Sequence, residues 1–80
     1  MRLSVRKTDP GYHPMAWGAV VYLNGQKIRG CFTADEEKGE IFLLKKDSNG
    51  AYVKNAAGDD IEVERKTGEV RIVVPVGFKL

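Results

Sequence analysis

Asn24-Gly25, set between the apolar run Ala19–Leu23 and the segment Gln26–Thr33, constrains this chain more than any other feature. A two-residue hairpin turn of type I′ needs φ > 0 at both central residues, and Asn-Gly is the pair that accepts it most readily. The short loop also fixes the register. Leu23 faces Gln26, Tyr22 faces Lys27, Val21 faces Ile28, Val20 faces Arg29 and Ala19 faces Gly30. Side chains alternate along a strand, so Ala19, Val21, Leu23, Ile28, Gly30 and Phe32 collect on one face, which reads as core. Val20, Tyr22, Lys27, Arg29, Cys31 and Thr33 collect on the other, which reads as half wet.

The rest of the chain extends the same pattern. Arg2–Lys7 alternates Leu3 and Val5 with Arg2, Ser4 and Arg6, and its basic residues suit an edge strand. Residues 9–18 form an irregular aromatic loop, with a turn at Pro10-Gly11, a block to regular pairing at Pro14, and the bulky Tyr12, His13, Met15 and Trp17. Asp35–Gly39 is a polar turn. Glu40–Lys46 follows as a strand whose continuous run Ile41–Leu44 is buried on both faces or crosses between sheets. A four-residue turn at Asp47–Gly50 places Leu44 opposite Val53 and Lys45 opposite Tyr52. Asp60–Arg65 reads as a strand with Ile61 and Val63 inward, and Glu69–Val74 as one with Val70, Ile72 and Val74 on one face. Pro75 ends that strand, leaving residues 76–80 as a tail. No stretch has sustained helical spacing, and turn clusters recur at the intervals of small β domains. The expectation is one all-β domain over residues 1–80, a meander of six to seven short antiparallel strands curled into a small barrel or sandwich.

Eighty residues, 42% hydrophobic and 30% charged, suffice for one modest core. A formal charge of +2 names no partner. Cys31 is the only cysteine, so neither an internal disulfide nor a cysteine zinc site is available. The alternating start of the chain does not read as a signal peptide, and no apolar run approaches the ~20 residues of a membrane span. The cytoplasm is the default location. Catalytic signals are equally sparse. His13 and Cys31 occur once each and lie apart, while Asp35-Glu36-Glu37 and Asp59-Asp60 sit on turns where carboxylates are solvated. Asp47-Ser48-Asn49-Gly50 starts like a calcium loop, but Gly58 stands where the bidentate Glu belongs. The expectation is a protein that is not an enzyme, with no catalytic residue, metal, cofactor, small-molecule substrate or membrane partner.

Two binding surfaces are legible. Tyr12 and Trp17 in the loop, with Phe78 and Leu80 in the tail, are candidates for protein contact or self-association, because aromatic side chains carry much of an interface's energy. The competing role for Trp17 and Phe78 is to plug the ends of the barrel, and a chain this short has little reason to spare Trp17 from its core. Tyr22, Lys27, Arg29, Lys45, Tyr52 and Lys54 interleave rings with cations, as small barrels do to hold single-stranded nucleic acid. The competing reading is an ordinary solvated strand face.

The middle of the chain, about residues 20–70, also resembles a known group. Val21-Tyr22-Leu23-Asn24-Gly25, then Cys31-Phe32-Thr33-Ala34-Asp35-Glu36-Glu37, then Gly39-Glu40-Ile41 and a turn at Asp47–Gly50, are similar to small β-rich proteins encoded among the head and tail genes of tailed phages and prophages. The resemblance implies a virion or assembly component and no catalytic residues. The leading expectation is therefore a protein–protein adaptor or assembly component of prophage origin, in the cytoplasm or the virion. A small-barrel protein that binds single-stranded nucleic acid is the alternative.

Overall fold

Seven strands and one 3-10 turn form two antiparallel sheets in a computed structural model that describes residues 1–79; Leu80 lies outside the described residues. The strands are β1 (Arg2–Ser4), β2 (Val20–Leu23), β3 (Gln26–Ile28), β4 (Cys31–Asp35), β5 (Glu40–Leu44), β6 (Val63–Thr67) and β7 (Val70–Val73), with the 3-10 turn at Pro14–Gly18. One sheet has the order β1-β4-β5-β6 and the other β3-β2-β7. The sheets do not close on each other, so the all-β domain is an open sandwich rather than a barrel. Among the described residues no helix is long and apolar enough to cross a membrane.

The Asn24-Gly25 turn forms as its residues require, with φ of 52° and 81°. Val21, Tyr22 and Leu23 pair with Ile28, Lys27 and Gln26, the register set by a two-residue loop. The hairpin is shorter than the sequence suggests. Beyond Ile28 the chain leaves β2, whose opposite edge, from Val20 to Leu23, pairs with β7. Arg29 and Gly30, the latter at φ 76°, carry the chain into the other sheet. There β4 pairs with β1 and β5, and a bulge lies between Cys31 and Thr33. The kink and the bulge undo the expected alternation. Cys31 packs against the core cluster. Phe32 instead lies under the Arg6 guanidinium, 3.9 Å from its ring centre, and Thr33 is buried with its hydroxyl 2.7 Å from that of Ser4.

The chain is a meander only in part. Hairpins join β2 to β3 and β4 to β5, the long connection 45–62 returns the chain antiparallel from β5 to β6, and β6 and β7 lie in different sheets. Pairing of β5 with β6 sets Leu43 opposite Glu64, and Leu43 packs on the core. Glu64 therefore turns inward with it, while Val63, expected inside, is 44% exposed. The turn after β5 is also one residue longer than expected, because Asp47 Oδ1 accepts from both the Asn49 and Ala51 N–H groups. That slip places Lys46, not Lys45, opposite Tyr52. A one-residue shift exchanges the faces of a strand.

Three turns are clasped together at one end. The Asn24 N–H donates to Glu69 O, the Glu69 N–H donates to Asn24 Oδ1, and the Gly68 N–H donates to Gly39 O, all at 2.8–2.9 Å. Gly39 sits at φ 63°, and a Cβ there would stand 2.6 Å from the Gly68 carbonyl oxygen. A left-handed conformation costs a non-glycine residue about 1–2 kcal/mol. Gly39→Ala is therefore expected to destabilise the domain by at least that amount in urea unfolding. Gly25→Ala, with open space around it, should cost less than Gly39→Ala.

Candidate functional site

The loop at residues 9–18 is built to hold its aromatic residue outward. Asp9 Oδ1 accepts from the Gly11 N–H at 2.8 Å, closing the turn that Pro10-Gly11 starts. Tyr12 then runs beside β1 as a parallel bridge to Ser4, half-buried. Next comes His13, whose Nδ1 accepts from the Met15 N–H at 3.0 Å and caps the 3-10 turn, with Pro14 at its first position. Its Nε2 faces Lys79 O, so the proton resides on Nε2 and both ring nitrogens are engaged. The turn buries Ala16 and leaves Trp17 79% exposed. Trp17 does not plug the sandwich, contrary to what a core-poor chain suggests. The core is filled instead by Leu3, Leu23, Ala34, Ile41, Val70 and Ile72. Beside Trp17 runs a groove of about 330 Å³ along the seam between the sheets, with Val5, Ala19, Val21, Ile28 and Cys31 in its lining.

The other protein-contact candidates fare differently. The Phe78 ring is half-buried, 4.2 Å from the His13 ring, and packs against the core. Tyr12 is bound into the loop, and Leu80 falls outside the described residues. Trp17 alone of these four stands free to touch a partner among the described residues.

A second groove, about 460 Å³, opens between the edge strand β3 and strands β5 and β6. Of the basic and aromatic residues singled out above, Lys27, Arg29 and Tyr52 line it. Tyr22, Lys45 and Lys54 do not. Tyr22 lies instead near Arg71, 5.9 Å from ring to guanidinium. In place of Lys45 and Lys54 the fold brings Lys46 and Lys66. Sequence reasoning missed both, the first through the turn length and the second because nothing local tells that β6 pairs with β5. The Lys46 ammonium sits 5.0 Å above the Tyr52 ring, which is still 54% exposed.

The densest charge cluster lies elsewhere and is structural. Arg2 makes a two-pronged contact with Asp9 at 2.9 Å and approaches Asp35 at 3.4 Å and Glu40 at 3.6 Å. Glu40 in turn holds Arg65 at 2.7 Å. Asp35 and Glu40 are buried, although the sequence places Asp35 on a solvated turn. The Arg2 guanidinium holds the Asp9 carboxyl below the usual carboxylate range. Asp35 is lowered too, chiefly by the Lys38 N–H, which donates to its Oδ1. Each of the three carboxylates is thus paired, Asp9 with Arg2 and the Gly11 N–H, Asp35 with Arg2 and the Lys38 N–H, and Glu40 with Arg2 and Arg65.

Nucleophilic chemistry finds no better support. Burial pushes the Cys31 thiol above its ordinary value, and its Sγ donates to Thr33 O at 3.0 Å. A protonated, engaged thiol is a poor nucleophile. Among the described residues no group of three or more His, Cys, Asp or Glu is placed to hold a metal ion. No family model, curated protein or solved structure matches the chain.

Proposed function

We propose that this chain is a non-enzymatic assembly component that binds protein through Trp17. The observation that carries the reading is a tryptophan 79% exposed on a capped, proline-started turn, next to a groove lined mainly by apolar side chains together with Arg29. Burying so large a side chain in the sandwich would have added to its stability, so its position outside needs a reason that folding does not supply. A rigid turn also lowers the entropic cost of presenting the ring to a partner. The resemblance of Val21–Gly25, Cys31–Glu37, Gly39–Ile41 and Asp47–Gly50 to small phage proteins is the ground for making it an adaptor of prophage origin.

Trp17→Ala should leave stability within about 0.5 kcal/mol, since exposed side chains contribute little to folding. Its effect belongs to binding, where loss of an aromatic hot spot costs about 2 kcal/mol or more, roughly 30-fold in affinity. Affinity capture from the cells that make the protein, with sedimentation of the pure chain, tests this. At least one retained protein, or the chain's own dimer, weakens by that factor in Trp17→Ala. Retained proteins and self-association that are unchanged by the substitution contradict the reading.

A further inference from the structure

The geometry points to a second binding site, for single-stranded nucleic acid, in the groove between β3 and the β5–β6 pair. It goes beyond the protein contact at Trp17: the two grooves share Ile28, Arg29 and Gly30, but Lys27, Lys46, Lys66 and Tyr52 belong to this one alone. Four cations, Lys27, Arg29, Lys46 and Lys66, line this groove with a single carboxylate, Glu64. The whole chain carries a formal charge of only +2, so positive charge is concentrated here rather than spread evenly. Low-dielectric walls focus such a field and raise the local concentration of an anionic ligand.

Charge alone would suit any polyanion. The rest of the lining narrows the choice. Ile28, Leu43 and Leu44 give the groove an apolar component, and Tyr52 contributes an aromatic ring 54% exposed. A flat ring beside cations matches the alternation of base and phosphate in an unpaired strand: the base stacks and the phosphates meet the lysines. Arg29 adds a planar fork suited to two phosphate oxygens at once. A duplex keeps its base faces stacked internally and would leave Tyr52 unused. An acidic peptide would answer the cations but offers no repeated planar surface for the ring.

Fluorescence anisotropy with a labelled oligothymidylate of about 12 nucleotides, a length within the range held by one small barrel, tests the assignment. Binding is expected at about 50 mM salt and should weaken steeply as salt rises. Each phosphate contact contributes a log–log slope of roughly −0.7, so three or four contacts give about −2 to −3. Lys46→Gln with Lys66→Gln should make the slope shallower by about 1.4. Tyr52→Ala should weaken binding by roughly 5- to 150-fold through lost stacking, with the salt slope retained. Three outcomes overturn the proposal. One is no binding at the low salt. Another is binding indifferent to Tyr52→Ala. The last is equal displacement by polyglutamate of matched charge, which would make the groove a general anion site.

Discussion

Replacing Arg2 with Met is expected to destabilise the domain by about 2–3 kcal/mol, toward the cost of removing one partner from a buried ion pair but reduced because Arg2 itself is 27% exposed. Arg2 neutralises Asp9, Asp35 and Glu40 together, and the side chains of Asp35 and Glu40 are only 7% and 10% exposed. Without the guanidinium those carboxylates stay out of water with less compensation. Arg65 still reaches Glu40, at 2.7 Å, which keeps the loss from being larger. The methionine stem retains the packing near Phe42, whose ring centre lies 5.8 Å from the Arg2 guanidinium. The pH dependence identifies the cause. Asp9 and Asp35 titrate lower in the folded chain than the ordinary carboxylate, so the unfolded chain binds more protons as pH drops through that range. Their contribution is complete above the unfolded carboxylate value, about pH 4, and is lost as pH falls through the folded values. In the Arg2→Met variant the Asp9 share shrinks, because Arg2 is its main cause and only the Gly11 N–H and Arg6 still favour the carboxylate. The Asp35 share persists, because the Lys38 N–H is its main cause. Urea unfolding between about pH 2 and 7 should therefore show a flatter acid limb in the variant than in the wild type. Identical limbs would mean that the cluster is not formed.

Ile41→Ala is expected to cost about 2–5 kcal/mol. Ile41 is fully buried, and its strand β5 is flanked on both sides by β4 and β6. A strand held by ladders on both edges cannot move inward to fill the cavity, which favours the upper half of that range. For a domain of this size the total stability is on the order of 4–12 kcal/mol, so a variant partly unfolded at room temperature is a reasonable outcome. Val63→Ala, on the neighbouring β6 but 44% exposed, should change the stability read from urea unfolding by less than about 0.5 kcal/mol. A large effect at Val63 and a small one at Ile41 would reverse the inside and outside of this sheet.

That reversal is where the sequence is hardest to read. Asn24-Gly25 fixes its own hairpin because the constraint is local: two dihedral angles and a two-residue loop. Pro75 and the recurring glycine turns likewise place the strand ends and the all-β class. The partner of each strand is not local. The two-residue turn says nothing of the other edge of β2, which β7 takes from about fifty residues further along the chain, nor that the β3 edge stops at Val21 and Ile28. The same limit hides Asp35 and Glu40, which read as turn and strand-end acids until β1 brings Arg2 across β4. For the binding surfaces, Lys27, Arg29 and Tyr52 were visible by pattern. Lys46 depended on a turn one residue longer than Asp47–Gly50 suggests. Trp17 was visible as a residue but not as an exposed one, since hydrophobicity argues for the core and only the Pro14–Gly18 turn shows the ring facing out.

Site-specific photo-crosslinking is the most direct measurement of what Trp17 does. A photoreactive phenylalanine analogue is placed at position 17 in one protein and at position 49, in the exposed turn after β5, in another. Both are irradiated in the cells that make the chain. If Trp17 is a protein contact, one or a few discrete adducts form from position 17, to another protein or to a second copy of the chain, and none of those adducts from position 49. No adduct from position 17, or the same adducts from both positions, would contradict that role.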